Sequence, residues 1–186
     1  MAYLARAERR RSIVEAAAAV VRRDGLSAVT ARIVADELGG SQGQIHHHFA
    51  STEELAAEAW RHYAEQEIDA YEHSVVGRNA YDALVLFFAD LVNADGDGRA
   101  LARWAETGAH AQLRPLIARS YVETLARLTD VLALVLDGDS DSASARAAAG
   151  RILMLGVGLA GLTRITEDPP VPAREVMLSA IRAETS

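Results

Sequence analysis

Ser41, Gln42, Gln44 and the run His46-His47-His48 crowd polar, hydrogen-bonding side chains into eight consecutive positions. A glutamine amide can pair bidentately with adenine in the major groove, and a serine hydroxyl or a helix-terminal N–H suits a phosphate. Three adjacent histidines also raise the question of a metal. Successive helical residues point about 100° apart, so three in a row cannot ligate one ion from a regular helix. His62, His73 and His110 stand apart and lack a spacing such as His-Glu-x-x-His. No nucleophile elbow, phosphate loop or paired-carboxylate motif occurs, and Gly156-x-Gly158-x-x-Gly161 falls inside an apolar helical pattern with no strand before it. The expectation is therefore a protein that is not an enzyme and holds neither metal nor cofactor.

The polar run needs elements to present it. Thr30 is suited to cap a short helix reaching Leu38, Gly39-Gly40 to end it, and Ser41 to begin a second short helix running to about His48. On that spacing Val34, Ala35 and Leu38 face inward toward Ile45 and a first helix, while Gln42, Gln44 and His46 project outward. Two short helices around a Gly-containing turn form a helix-turn-helix, whose second helix fits the major groove. The same pattern also suits a helical hairpin in an ordinary bundle with a polar outer face.

The first helix is predicted from Arg6 to Arg23, with Ile13, Val14, Ala17 and Val21 on one stripe and Asp24-Gly25 as its stop. Ser51, three residues before Glu54, forms a capping box for a long helix to about Val76. Further helices are predicted at 81–93, 99–112, 115–136, 142–165 and 173–183, separated by Asp95-Gly96-Asp97-Gly98, Asp137-Gly138-Asp139 and Asp168-Pro169-Pro170. No segment alternates with period two, so the fold is expected to be all-α: a three-helix helix-turn-helix domain over 1–50, then a helical bundle over 51–186.

Composition bounds the rest. With 186 residues, half of them hydrophobic, the chain can bury the core of one moderate domain or two small ones. Its 19 basic residues are all Arg, and against 26 acids they leave a net charge of −7. That average hides an asymmetry: residues 1–50 hold seven Arg and five acids, whereas 51–186 hold 12 Arg and 21 acids. An anionic partner should meet the N-terminal quarter. The absence of cysteine excludes disulfide and thiolate chemistry. With no apolar leader, and with its longest apolar run, Ala147 to Leu162, short for a bilayer and interrupted by Arg151, the protein is expected in the cytoplasm and off the membrane.

The run Gly39-x-Ser41-x-Gly43-x-Ile45-x-x-His48-Phe49-x-Ser51-x-Glu53-Glu54-Leu55, preceded by Thr30-x-x-x-Val34-Ala35 and the Ile13-Val14-x-Ala16-Ala17 helix, resembles the N-terminal domain of TetR-family transcriptional regulators. The resemblance covers residues 10–58. It implies a homodimeric repressor whose two helix-turn-helix units bind a palindromic double-stranded operator and release it when a small-molecule effector occupies the C-terminal domain. By position it implies DNA contacts from Arg32, from Gln42, Gly43 and Gln44 at the start of the recognition helix, from His46 and His47 against the backbone, and from Ser41 and Thr52. Three positions depart from the family: His46 stands where Tyr is common, Thr52 where a phosphate-binding Lys is common, and Gly40 where the turn is usually apolar. Thr52 and His46 point to weaker or pH-sensitive operator binding, because a hydroxyl forms a neutral hydrogen bond and a histidine gains charge only as pH falls. A helical ligand-binding or adaptor protein with lost DNA binding is the alternative. Arg6, Arg9, Arg10 and Arg11 are candidates to replace the missing Lys at phosphates.

Farther along, Ile117, Tyr121, Thr124, Leu128, Val131 and Val135 form an apolar stripe with two hydroxyls in it, and Trp104, Thr107, Gly108 and Ala111 form another. Trp104 and Tyr121, with Thr124, Phe88, Tyr63 and Met154, are the candidate effector-binding residues. Arg103 and His110 are expected on the face opposite Trp104. The 142–165 helix is apolar around most of its circumference, so one face is expected on the core and another, carrying Met154, Val157 and Gly161, on a second copy of the chain.

Overall fold

The computed structural model describes residues 2–93, 99–166 and 170–186. Every regular element among them is helical: α1 (Ala2–Asp24), a 3-10 turn (Leu26–Ala28), α2 (Ala31–Glu37), α3 (Gln42–His48), α4 (Thr52–Ser74), α5 (Ala80–Phe87), α6 (Ala89–Val92), α7 (Arg99–Ala111), α8 (Pro115–Asp137), α9 (Ala143–Thr163) and α10 (Ala173–Glu184). The predicted separators Asp95-Gly96-Asp97-Gly98 and Asp168-Pro169 lie outside the described residues. The helix expected over 81–93 is two helices, because the backbone turns at Phe88. The 3-10 turn carries no periodic signal, being too short for one.

Packing divides the chain into two compact units. The first comprises Met1–Glu67 and Glu106–Thr124. Its core is the inner stripe of α1 (Ile13, Ala17, Val20, Val21), with Leu26, Val34, Ala35, Ile45 and Phe49, continued along α4 by Leu55, Ala59, Trp60 and Tyr63. Apolar residues on α1 and α4 recur at helical spacing, which is why each presents a continuous buried face. The α7–α8 segment of this unit is tied to the N-terminal part of the chain by polar clasps. Ser27 donates from its backbone N–H and its Oγ to Glu106 Oε1, at 3.0 and 2.7 Å, and its Oγ lies 2.9 Å from His110 Nε2. The Leu116 N–H donates to Glu53 Oε1 at 2.8 Å.

The second unit comprises Ile68–Ala105 and Leu125–Ser186. Helix α9 buries Ala145, Ala148, Ala149, Ile152, Leu153, Gly156, Leu159 and Ala160, and α10 packs on it through Met177 and Ile181. The Phe88 ring occupies the space a side chain at Gly156 would need: a Cβ there would lie 2.3 Å from Phe88 Cε1. Among the described residues α9 is the one helix long and apolar enough to cross a membrane by length and composition, so the expectation from the shorter Ala147–Leu162 run is corrected on length. A core helix meets the same measure, and here one stripe is buried while Arg151, on the exposed side, forms a two-pronged ion pair with Glu184 at 2.8 Å.

Candidate nucleic-acid interface

Helix α2 begins where the Ile33 N–H donates to Thr30 Oγ1, at 3.2 Å, as an N-cap should. It ends at a turn in which the Gly39 and Gly40 N–H groups return to Asp36 and Ala35 carbonyls. Gly39 sits at φ +62°, a conformation that costs any residue with a Cβ. Gly40 has a different role. A Cβ at this position would come within 2.7 Å of Gln44 Oε1, so the small residue leaves room for the Gln44 amide to fold over the turn.

On α3 only Ile45 is buried, and it anchors the helix beside Val34 and Ala35. Gln42, Gly43, Gln44, His46 and His47 are all exposed, as are Ser41, Arg32 and Thr52. All eight positions thus present exposed groups from α2, α3 and the first residue of α4. Ser41 departs from expectation: it stands at the N-cap position, yet its hydroxyl makes no capping bond. Arg32 keeps a long 4.0 Å pairing with Asp36, both side chains about three-quarters exposed, which constrains it little.

Two of the acids beside this surface, Glu53 and Glu54, accept backbone hydrogen bonds. Glu53 accepts from Leu116, and Glu54 Oε2 accepts from the Ala50 N–H at 2.8 Å while its own N–H donates to Ser51 Oγ at 3.0 Å. The capping box is present with its return bond shifted by one residue. Three of the seven Arg in residues 1–50 are paired with carboxylates: Arg10, partly buried, with Glu54 and Glu58, and Arg22 and Arg23, both exposed, with Glu67 and with Asp24 and Glu37. Arg6, Arg9 and Arg11 are exposed. Arg6, Ala7, Arg10 and His48 line a recess of about 220 Å³. Burial, then the charges of His47, Arg6, Arg10 and Arg9, hold the His48 imidazole below its usual pKa.

The effector candidates separate. Tyr63, Tyr121 and Thr124 belong to the first unit, where Trp60 connects them. Its indole N–H donates to Thr124 Oγ1 at 3.0 Å, and its ring lies 5.7 Å from Tyr63 and 5.9 Å, stacked, from Tyr121. Buried Ser120 joins through Arg61 at 3.2 Å, and the Tyr121 hydroxyl rests against Gly108. Burial keeps the Tyr121 phenol protonated by raising its pKa. Thr107 is fully buried with no hydrogen-bond partner for its hydroxyl among the described residues. Phe88, Trp104 and Met154 belong to the second unit: Phe88 is wedged at Gly156, Trp104 is buried, and Met154 is half exposed on the outer face of α9. Arg103, expected opposite Trp104, is buried as well, at 7% exposure.

A short helix anchored by one apolar residue, offering polar side chains beyond a glycine turn, is the arrangement of a helix-turn-helix, whose second helix fits the major groove of DNA. Residues 13–59 match the family described as bacterial regulatory proteins, tetR family. The whole chain also shares the fold of solved relatives. A regulator from Saccharomonospora viridis, solved in complex with choline, is 23% identical with 95% of each chain covered and a TM-score of 0.68. A TetR-family regulator from Cytophaga hutchinsonii is 16% identical, with 94% of this chain and 93% of that one covered and a TM-score of 0.71. One from Haloarcula marismortui is 18% identical, with 95% and 98% covered and a TM-score of 0.70. A comparison with curated proteins yields no match.

Proposed function

We propose that the protein is a cytoplasmic, homodimeric transcriptional repressor that holds a palindromic operator through residues 1–50 and releases it when residues 51–186 take up a small molecule. The observation that carries this reading is the exposure of Arg32, Ser41, Gln42, Gly43, Gln44, His46, His47 and Thr52 on helices whose apolar residues are buried. Gln42 and Gln44 read bases; Arg32, Ser41, His46, His47 and Thr52 meet the backbone. The exposed face of α9, with Ala147, Gly150, Met154 and Gly158 at helical spacing, meets a second copy, which sets two recognition helices about 34–36 Å apart or a multiple of it.

The effector site rests on the aromatic and hydroxyl cluster of Trp60, Tyr63, Thr107, Tyr121 and Thr124 in the first unit. The clasps from Glu106 and His110 to Ser27 and from Leu116 to Glu53 support transmission to the DNA-binding helices, since α7 and α8 cannot shift without straining them. The choline held by the Saccharomonospora protein makes choline a first ligand to test. Gel shift on DNA from upstream of the protein's own gene tests the reading. A salt-sensitive shift should vanish for Arg32→Ala plus Gln44→Ala with the thermal midpoint unchanged; a shift that survives both substitutions contradicts it.

A further inference from the structure

Arg10 was grouped by sequence with the arginines available to phosphates, but its surroundings differ from theirs. Its Nη1 donates to the His48 carbonyl at the end of α3, and its Nη2 donates to Glu54 Oε1 at 3.0 Å and to Glu58 Oε1. The guanidinium face lies 4.0 Å from the centre of the Phe49 ring. Arg10 and both glutamates are about one-third exposed, so their pairing is less screened than a surface ion pair. Glu54 also holds the Ala50 N–H, so one connected group brackets the whole Phe49-Ala50-Ser51 link between α3 and α4. Only a planar fork with several fixed donors can meet a carbonyl, two carboxylates and a ring at once; a lysine ammonium cannot.

We propose that Arg10 is a positioning residue of the reading head: it ties the end of the recognition helix α3 to the first two turns of α4 and sets the angle at which Gln42 and Gln44 face the groove. The inference rests on the DNA-binding reading for its consequence, and on the clamp alone for its geometry. Charge and geometry make opposite predictions for Glu58→Gln. Removing an acid near DNA should tighten binding if charge alone matters, whereas loosening the clamp should weaken binding to the operator selectively.

The test uses full-length protein, the upstream duplex and a scrambled duplex of equal length, with Arg10→Lys, Arg10→Met and Glu58→Gln. Each variant should lose operator affinity roughly tenfold, the scale of one or two charge-assisted hydrogen bonds. Affinity for scrambled DNA, and the slope of log affinity against log salt, should hold. Should the slope instead fall by about 0.9, the value for one lost phosphate contact, with both duplexes weakened alike, Arg10 is a phosphate ligand and the proposal fails. It fails equally if Glu58→Gln tightens operator binding or leaves it unchanged. Hydrogen exchange on the DNA-free proteins reads the clamp independently of whether the wild type binds DNA: amides of Ile45 to Phe49 should exchange roughly tenfold faster in Arg10→Lys and Glu58→Gln, with Val20 and Val21 unchanged. Unaltered exchange at α3 overturns it even where no DNA binding is found.

Discussion

At the scale of single residues, histidines next to one another in sequence have different work. His46 and His47 are exposed, while His48 turns partly inward beside Arg6 and Arg10 and is held neutral by burial and by those charges. A histidine whose folded pKa lies below its unfolded value leaves the folded state with fewer bound protons, so stability is complete above the unfolded value near 6.5 and declines as pH falls through it toward the folded value. The thermal midpoint of the wild type should therefore fall more steeply between about pH 7 and pH 5 than that of His48→Gln. Parallel curves for the two proteins would contradict this origin of the acid sensitivity. The exposure of Ile45's neighbours was legible from spacing, because one buried residue in seven on a short helix leaves little choice of face. The inward turn of His48 was not, because it depends on α1 passing beside the end of α3.

At the scale of elements, most helix ends follow local signals. Thr30, Asn79 and Ser142 each accept an N–H three residues on, and Gly39 and Gly138 take positive φ where helices stop. The break between α5 and α6 has no such signal in Leu86-Phe87-Phe88-Ala89; it coincides with the place where Phe88 packs against Gly156, 68 positions along the chain. Gly156→Ala should therefore destabilise the protein by about 1–2 kcal/mol, the clash with a rigid ring outweighing the gain in helix propensity. Denaturant unfolding measures the loss, and Phe88→Leu should recover part of it in the same chain. A Gly156→Ala protein more stable than the wild type would mean that the ring moves aside freely. The apolar circumference of α9 points to two packing faces; in the structure one stripe is buried and another, with Met154, is half exposed.

For the whole molecule, that exposed stripe is where dimerisation should be most sensitive. Met154→Arg should shift sedimentation from dimer to monomer and abolish cooperative operator binding while leaving helicity intact; a persistent dimer would place the interface elsewhere. The sequence by itself determined the all-helical class, the helix-turn-helix and its exposed polar face, and the excess of Arg over acids in residues 1–50. Each of these depends on periodicity, caps and residue types within a few turns of chain. Tertiary structure alone decided which charges remain available. Arg10, Arg22 and Arg23 are matched to carboxylates, Arg6, Arg9, Arg11 and Arg32 are exposed, and Glu53 and Glu54 accept backbone N–H groups. It likewise joined Trp60 to Tyr121 and Thr124, residues some 60 positions apart. An ion pair or ring stack depends on which helices pass within a few ångströms of each other, and neither composition nor helical period contains that distance.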